Sequence, residues 1–276
     1  MSVFSNNRFL KRVNPEIVRA KDDSGSSLNH PEIQKLMRQM VDLGIADNLK
    51  LWVHNGLVKT RTSGSDLYVP KAYDISGEEN DAVQATEAKQ PKLVSDGMEF
   101  DGLNDRLTIS DDASLQITGA MTIMAWVYYI GGTTTSSQAI IGKYGTGGYR
   151  GYLLFVNPDD GSKDARFIIA SNSSTVRAVV SDENSLPFNQ WFLLTGVYVP
   201  STSLTVYINT TAYENTTSIP SSQYSNNGLP LDLSWFDSTG RYVKQNLNDI
   251  RIFNSALTST QISAIFNATK GFYGIT

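Results

Sequence analysis

The hydrophobic pattern of this chain changes period once, near residue 49. Ile33, Leu36, Met37, Met40 and Val41 share one stripe at helical spacing, and Gly44 stands where a C-terminal cap belongs, which predicts a short helix. A helix this short is marginal alone, so its stripe needs a partner, either the rest of the chain or another copy. From Leu49 onward the pattern is that of strands. Residues 121–130 and 190–199 are apolar on both alternating faces, as expected for central strands covered on each side. Shorter strands are predicted at 152–156, 165–170, 175–180, 204–209 and 248–253, with Gly-Gly, Asn-Pro-Asp-Asp-Gly and Asn-Asn-Gly turns among them. Near the C-terminus, Thr258 followed by Gln261 has capping-box spacing and predicts a short closing helix. The sum is an all-β fold, a two-sheet antiparallel jelly-roll sandwich carrying an N-terminal arm, a short helix and a short C-terminal helix. Trp126 and Trp191 lie inside apolar strands and are expected to anchor the core.

Charge divides the chain. Residues 1–30 are polar and broken by Pro15 and by the Asp22–Ser27 stretch, which reads as an extended arm. Within residues 1–21, Arg8, Lys11, Arg12, Arg19 and Lys21 oppose only Glu16, a local +4 in a chain of net charge −4. The remainder therefore carries −8. Arg8, Lys11, Arg12 and Arg19 are the candidate attachment residues, suited to an acidic partner surface. The expected division is an assembly or attachment unit at residues 1–45 and a jelly-roll domain at 46–276. With an isoelectric point near 5.2 there is no broad basic footprint for nucleic acid. Cysteine is absent, so neither disulfides nor thiolates contribute. No segment reaches the roughly 18 apolar residues of a membrane span, and the N-terminus lacks a signal-like apolar run.

Four segments carry a resemblance. They are Met98-Glu-Phe-Asp-Gly-Leu-Asn-Asp-Arg-Leu-Thr-Ile109, Leu115-Gln-Ile-Thr-Gly-Ala-Met-Thr-Ile-Met-Ala-Trp-Val127, Gln190-Trp-Phe-Leu-Leu-Thr-Gly-Val-Tyr198 with the strand from Leu204, and Asn248-Asp-Ile-Arg-Ile-Phe-Asn-Ser-Ala-Leu-Thr258. In this order they resemble the laminin-G-like domain of the concanavalin A-like lectin superfamily. Tyr73-Asp-Ile-Ser-Gly-Glu-Glu-Asn-Asp-Ala82 is similar to the "D-x-S-G-x-x-N-D-A" loop near the start of such domains. Modules that open this way are frequent in bacteriophage virion proteins. The resemblance therefore implies a non-enzymatic virion structural protein, a head decoration, fibre or tail-associated protein that displays a lectin-like domain. Such a protein would assemble in the host cytoplasm, sit on the virion surface, and contact its own copies and other virion proteins through the arm. A cell-surface glycan would be the outward partner. A free-standing carbohydrate-binding module is the alternative, and a glycan-cleaving enzyme the third reading.

Glu99 and Asp101 alternate on one strand as hydrolase carboxylates do, but Leu103 follows on the same face and Asn104 stands where a third carboxylate is wanted. His30 and His54 have no zinc-ligand spacing, and His54 is expected to follow the first strand. Gly145-Thr-Gly-Gly148 lacks the context of a phosphate loop and reads as a hairpin tip. Relatives of this kind often hold calcium on rim oxygens, which makes Asp101, Asn104 and Asp105 the candidate metal ligands, with Asp159, Asp160 and Asp164 a second acidic loop. Tyr144, Tyr149 and Trp235 are the candidate sugar-stacking residues. Asn172, Asn209, Asn215 and Asn267 match the glycosylation triplet, as an Asn- and Thr-rich composition will. Asp249 is expected to accept hydrogen bonds from Arg251.

Overall fold

A computed structural model describes residues 31–131, 138–145, 150–157, 163–224, 228–236 and 241–276. Helix α1 (Pro31–Asp42) precedes β1 (Leu49–Ser63), β2 (Asp66–Asp74), β3 (Ala82–Val83), β4 (Lys92–Val94), β5 (Gly97–Asp101) and β6 (Leu107–Ile109). The middle of the chain forms β7 (Met121–Gly131), β8 (Gln138–Tyr144), β9 (Arg150–Asn157), β10 (Asp164–Ala170), β11 (Val176–Val180), β12 (Trp191–Val199), β13 (Ser203–Ile208) and β14 (Thr211–Asn215). Short strands β15 (Leu231–Leu233), β16 (Trp235–Phe236) and β17 (Arg241–Tyr242) lead into β18 (Lys244–Phe253) and helix α2 (Ser259–Thr269). The fold is a concanavalin A-like jelly roll, as expected. In one detail it differs, because hydrogen bonding joins its two layers into a single 16-stranded sheet.

One layer runs β5-β18-β7-β12-β13-β14 and the other β11-β10-β9-β8-β15-β6-β3-β2, with β4 bridging β2 and β5 at one edge. Alternate side chains of both layers meet in one core. Phe100, Ile123, Val127, Phe192, Leu194 and Val206 come from the first layer, and Ile141, Leu154, Phe167 and Ile169 from the second. The layers approach closely where β12 crosses β10. A Cβ added at Gly196 would lie 2.6 Å from the Phe167 ring, so only glycine lets the layers approach this closely.

The first layer is covered on its outer face too. Met124, Trp126, Trp191 and Leu193 point outward and are buried beneath α1, α2 and the C-terminal turn. Ile33, Leu36, Met37 and Met40 of α1 join this second core beside Ile262, Ile265 and Phe266 of α2. The partner of the N-terminal helix is therefore its own sandwich. Gly44, at φ +68°, ends α1 in a Schellman arrangement, with Gly44 N–H donating to Val41 O (3.0 Å) and Ile45 N–H to Met40 O (3.0 Å). The capping box of α2 is present as predicted, Thr258 and Gln261 each receiving the other's backbone N–H. Gln39 Nε2 donates to Ala264 O (2.7 Å) and Gln261 Nε2 to Leu43 O (3.2 Å), tying the two helices together. No helix among the described residues is long and apolar enough to cross a membrane.

The sequence motifs prove to be structural pins. Asp74 of the "D-x-S-G-x-x-N-D-A" loop accepts from Trp52 N–H (2.9 Å), from Ser76 through both N–H and Oγ, and from Asn80 N–H. Full burial pushes its carboxyl up to about 6 against the pull of those hydrogen bonds. Asp249 receives Arg251 through Nε (2.7 Å) and Nη2 (2.6 Å) and also Trp52 Nε1 (2.8 Å), while the guanidinium lies 4.8 Å from the Trp52 ring centre.

Candidate functional site

Two backbone irregularities meet at one corner of the sandwich. In β1, four residues separate Val53 from Val58, whereas only Tyr73 separates their partners Asp74 and Ala72 in β2, so residues 54–57 bulge out of the ladder. In β18 the register against β7 shifts between Asn248 and Arg251, with Asp249 at φ +47°. This second bulge aims Asn248 at the first. Asn248 Oδ1 accepts Asn55 N–H (2.9 Å), and its Nδ2 donates to Asn55 Oδ1 (2.9 Å) and to Asp96 O (3.0 Å) in the β4–β5 turn. Asp96 Oδ2 in turn receives Trp191 Nε1 (2.8 Å).

The C-terminal turn completes the enclosure. Tyr273 is wedged against Trp126 (ring centres 4.2 Å apart, stacked) and Trp191 (4.8 Å), which fixes the neighbouring Phe272 with 40% of its surface exposed. The result is a cleft of about 420 Å³ lined by His54, Asn55, Ser95, Asp96, Asn248 and Phe272. His54 lies within β1 and not after it, a correction to the sequence reading that follows from the length of this bulged strand. Its Nδ1 accepts Gly56 N–H (3.0 Å), so a neutral ring carries its proton on Nε2. The pattern of apolar positions held no sign of this cleft, because its parts come from bulges, a turn and the tail.

The residues singled out from the sequence lie elsewhere. Asp101 Oδ1 accepts the N–H groups of Leu103 (2.8 Å), Asn104 (3.1 Å) and Asp105 (3.3 Å), and Asp105 Oδ2 accepts Asp101 N–H (3.1 Å). Of the oxygens proposed for calcium, Asp101 Oδ1 and Asp105 Oδ2 thus serve the loop's own backbone, whereas Asn104 Oδ1 is buried with no hydrogen-bond partner among the described residues. No group of three His, Cys, Asp or Glu side chains converges as a metal ion requires among the described residues. Glu99, Asp101 and Asp105 do line a second cleft, of about 480 Å³, with Arg61, Tyr68 and Glu87. The third carboxylate that the strand lacks is therefore supplied by Asp105. Burial, then Asp101 and Glu99 nearby, push the Asp105 carboxyl up to about 7. Yet Asp105 is buried and hydrogen-bonded to the loop.

Tyr144 and Trp235 do not form one platform. Tyr144 is half-buried at the edge of a small separate cluster that contains Leu153 and Phe155. Trp235 lies under the Arg106 guanidinium, 4.5 Å from its ring centre. Ser234 N–H bonds Ile140 O, so the register sets Trp235 beside Ala139, five residues or roughly 16 Å along β8 from Tyr144. Tyr149, Asp159, Asp160, His30, the Thr146–Gly148 part of the glycine-rich tip and the attachment residues Arg8, Lys11, Arg12 and Arg19 lie outside the described residues. Asp164 forms a bidentate pair with Arg166 (2.7 and 2.9 Å). Asn172 and Asn215 cap their own turns through Oδ1.

The layering and the motif pins define a β-sandwich of the concanavalin A-like type. A family model described as the concanavalin A-like lectin/glucanases superfamily, of the laminin-G type, matches residues 100–263, and the chain belongs to that superfamily. No curated protein sequence matches it. Among solved structures, the binding domain of Paraclostridial mosquitocidal protein 1 is similar at TM-score 0.59 and 14% identity, covering 83% of this chain and 56% of that one. The botulinum neurotoxin serotype D ligand-binding domain, solved with N-acetylneuraminic acid, is similar at 0.58 and 13%, covering 86% and 56%. The binding domain of botulinum neurotoxin DC, solved with SialylT, is similar at 0.54 and 14%, covering 81% and 52%. The chain thus spans just over half the length of each.

Proposed function

We propose that this protein is a non-enzymatic adhesion module of a virus particle, attached through the N-terminal arm of residues 1–30 and presenting the sandwich outward to a host-surface glycan. The observation that carries the binding role is the Phe272 cleft, a rim pocket that joins an exposed ring to a hydrogen-bonded set of amide and carboxylate groups. Its volume lies within the roughly 300–1,000 Å³ usual for small-molecule sites. Support also comes from the neighbours, which are themselves named as binding domains, two of them solved with a sialic acid or a SialylT ligand. The non-enzymatic part is supported by the second cleft, where Asp101 and Asp105 each have an oxygen taken by backbone N–H groups of their own loop. Placement on a virion rests on the basic leader and on the resemblance of the 74–82 loop to phage modules. Display in many copies would turn weak single sites into strong adhesion. The test is mass spectrometry of purified particles from the source, together with adsorption of the purified chain to host cells. Particle association and saturable adsorption are expected; absence from particles with no adsorption would overturn the proposal.

A further inference from the structure

We propose that the Phe272 cleft takes an uncharged pyranose and discriminates against acidic sugars. The inference rests on the binding role proposed above and assigns the chemistry of its ligand. Phe272 offers an exposed ring face, which suits the C–H face of a sugar ring. The wall beyond it is polar and held in place. Asn55 Oδ1 is committed to Asn248 Nδ2, which orients the amide, and among the described residues nothing accepts from Asn55 Nδ2. That amide is a fixed donor for a ring or hydroxyl oxygen.

Asp96 supplies the acceptor. One oxygen is held by Trp191 Nε1, and among the described residues the other meets only Ser95 Oγ at 3.3 Å, so the carboxylate keeps lone pairs for hydroxyl donors. An aromatic face, a fixed amide donor and an anchored carboxylate together match a ring that is apolar on one face and rimmed with hydroxyls. Because Asn248 and Trp191 already hold these groups, binding demands little ordering of the site.

Charge selects within the sugars. Among the described residues no Lys or Arg lines the cleft, which leaves the His54 imidazole alone to balance a ligand carboxylate against the charge of Asp96. A sialic or uronic acid is therefore disfavoured here, unlike the ligand named for the serotype D neighbour.

The experiment is saturation-transfer NMR and calorimetry on the full chain, with a panel of methyl hexopyranosides and, separately, N-acetylneuraminic acid. At least one neutral methyl glycoside is expected to bind. Phe272→Ala is expected to weaken it roughly tenfold, the scale of losing one ring contact, with an unchanged melting temperature because the ring is exposed. Asn55→Ala reads the amide donor independently of Phe272. Preference for N-acetylneuraminic acid, or neutral-sugar binding indifferent to both substitutions, would overturn the assignment. Adsorption to host cells that none of the neutral glycosides competes would also overturn it while leaving the adhesion role standing. Loss of adsorption altogether would remove both.

Discussion

The aromatic residues split by environment, not by type. Trp126 is fully buried, stacks on Tyr273 and Phe266, and donates Nε1–H to Thr269 Oγ1 (3.0 Å). Trp126→Ala is expected to cost about 3–5 kcal/mol in chemical denaturation, the range for emptying a core aromatic site, and to loosen the turn that carries Phe272. A loss under 1 kcal/mol would show that the outer core does not depend on it. Gly196→Ala tests the opposite fault, since its added methyl meets the Phe167 ring, and overpacking of this kind costs about 1–3 kcal/mol. Asp105 is a pH reporter. Its folded carboxyl is raised to about 7, so the fold favours the protonated form. The stability that this confers is present below the unfolded value near 4 and is lost as pH rises from about 4 through 7. Asp74 and Asp232, both raised to about 6 by burial, act in the same sense. Asp105→Asn should therefore gain in melting temperature over the parent at pH 8 relative to pH 4. An identical difference at the two pH values would contradict the assigned burial.

At the level of elements, the sequence was a good guide wherever one residue pattern decides the outcome. Runs apolar on both faces located β7 and β12, Thr258 and Gln261 announced the cap of α2, and Gly44 marked the end of α1. It was a poor guide wherever partners are distant. Asn55 and Asn248 lie 193 positions apart, and their contact exists because two bulges coincide, which no local period encodes. The same holds for Trp235, whose exposure in a loop looked inviting until β6 and its flank brought Arg106 over the ring. Docking of α1 was left open because an apolar stripe specifies burial without naming the surface that provides it. The packing now separates two truncations. Deleting residues 1–30 is expected to leave thermal melting unchanged while abolishing the particle attachment proposed above. Deleting residues 1–45 strips Leu36, Met37 and Met40 from the outer core and is expected to lower the melting temperature and promote aggregation. Equal melting of both truncations would mean that α1 contributes nothing to the packed body.

As a whole molecule, the protein is a sandwich whose first layer is buried on both faces, between the inner core and a pair of helices. Its adaptable chemistry is therefore confined to the rim. That arrangement suits recognition, because the helical cover and the Trp126–Tyr273–Trp191 stack hold the cleft from behind. It serves hydrolysis less well, since at the second cleft Asp101 and Asp105 each commit an oxygen to N–H groups of their own loop. Binding without cleavage is the central claim. The most direct measurement incubates the full chain with purified host-surface polysaccharide and follows both retention of the protein on the polymer and release of new reducing ends. Retention with no increase in reducing ends is the outcome expected of a binding module. Progressive release of reducing ends, abolished by Glu99→Gln or Asp105→Asn, would contradict it and turn the carboxylate cleft into an active site.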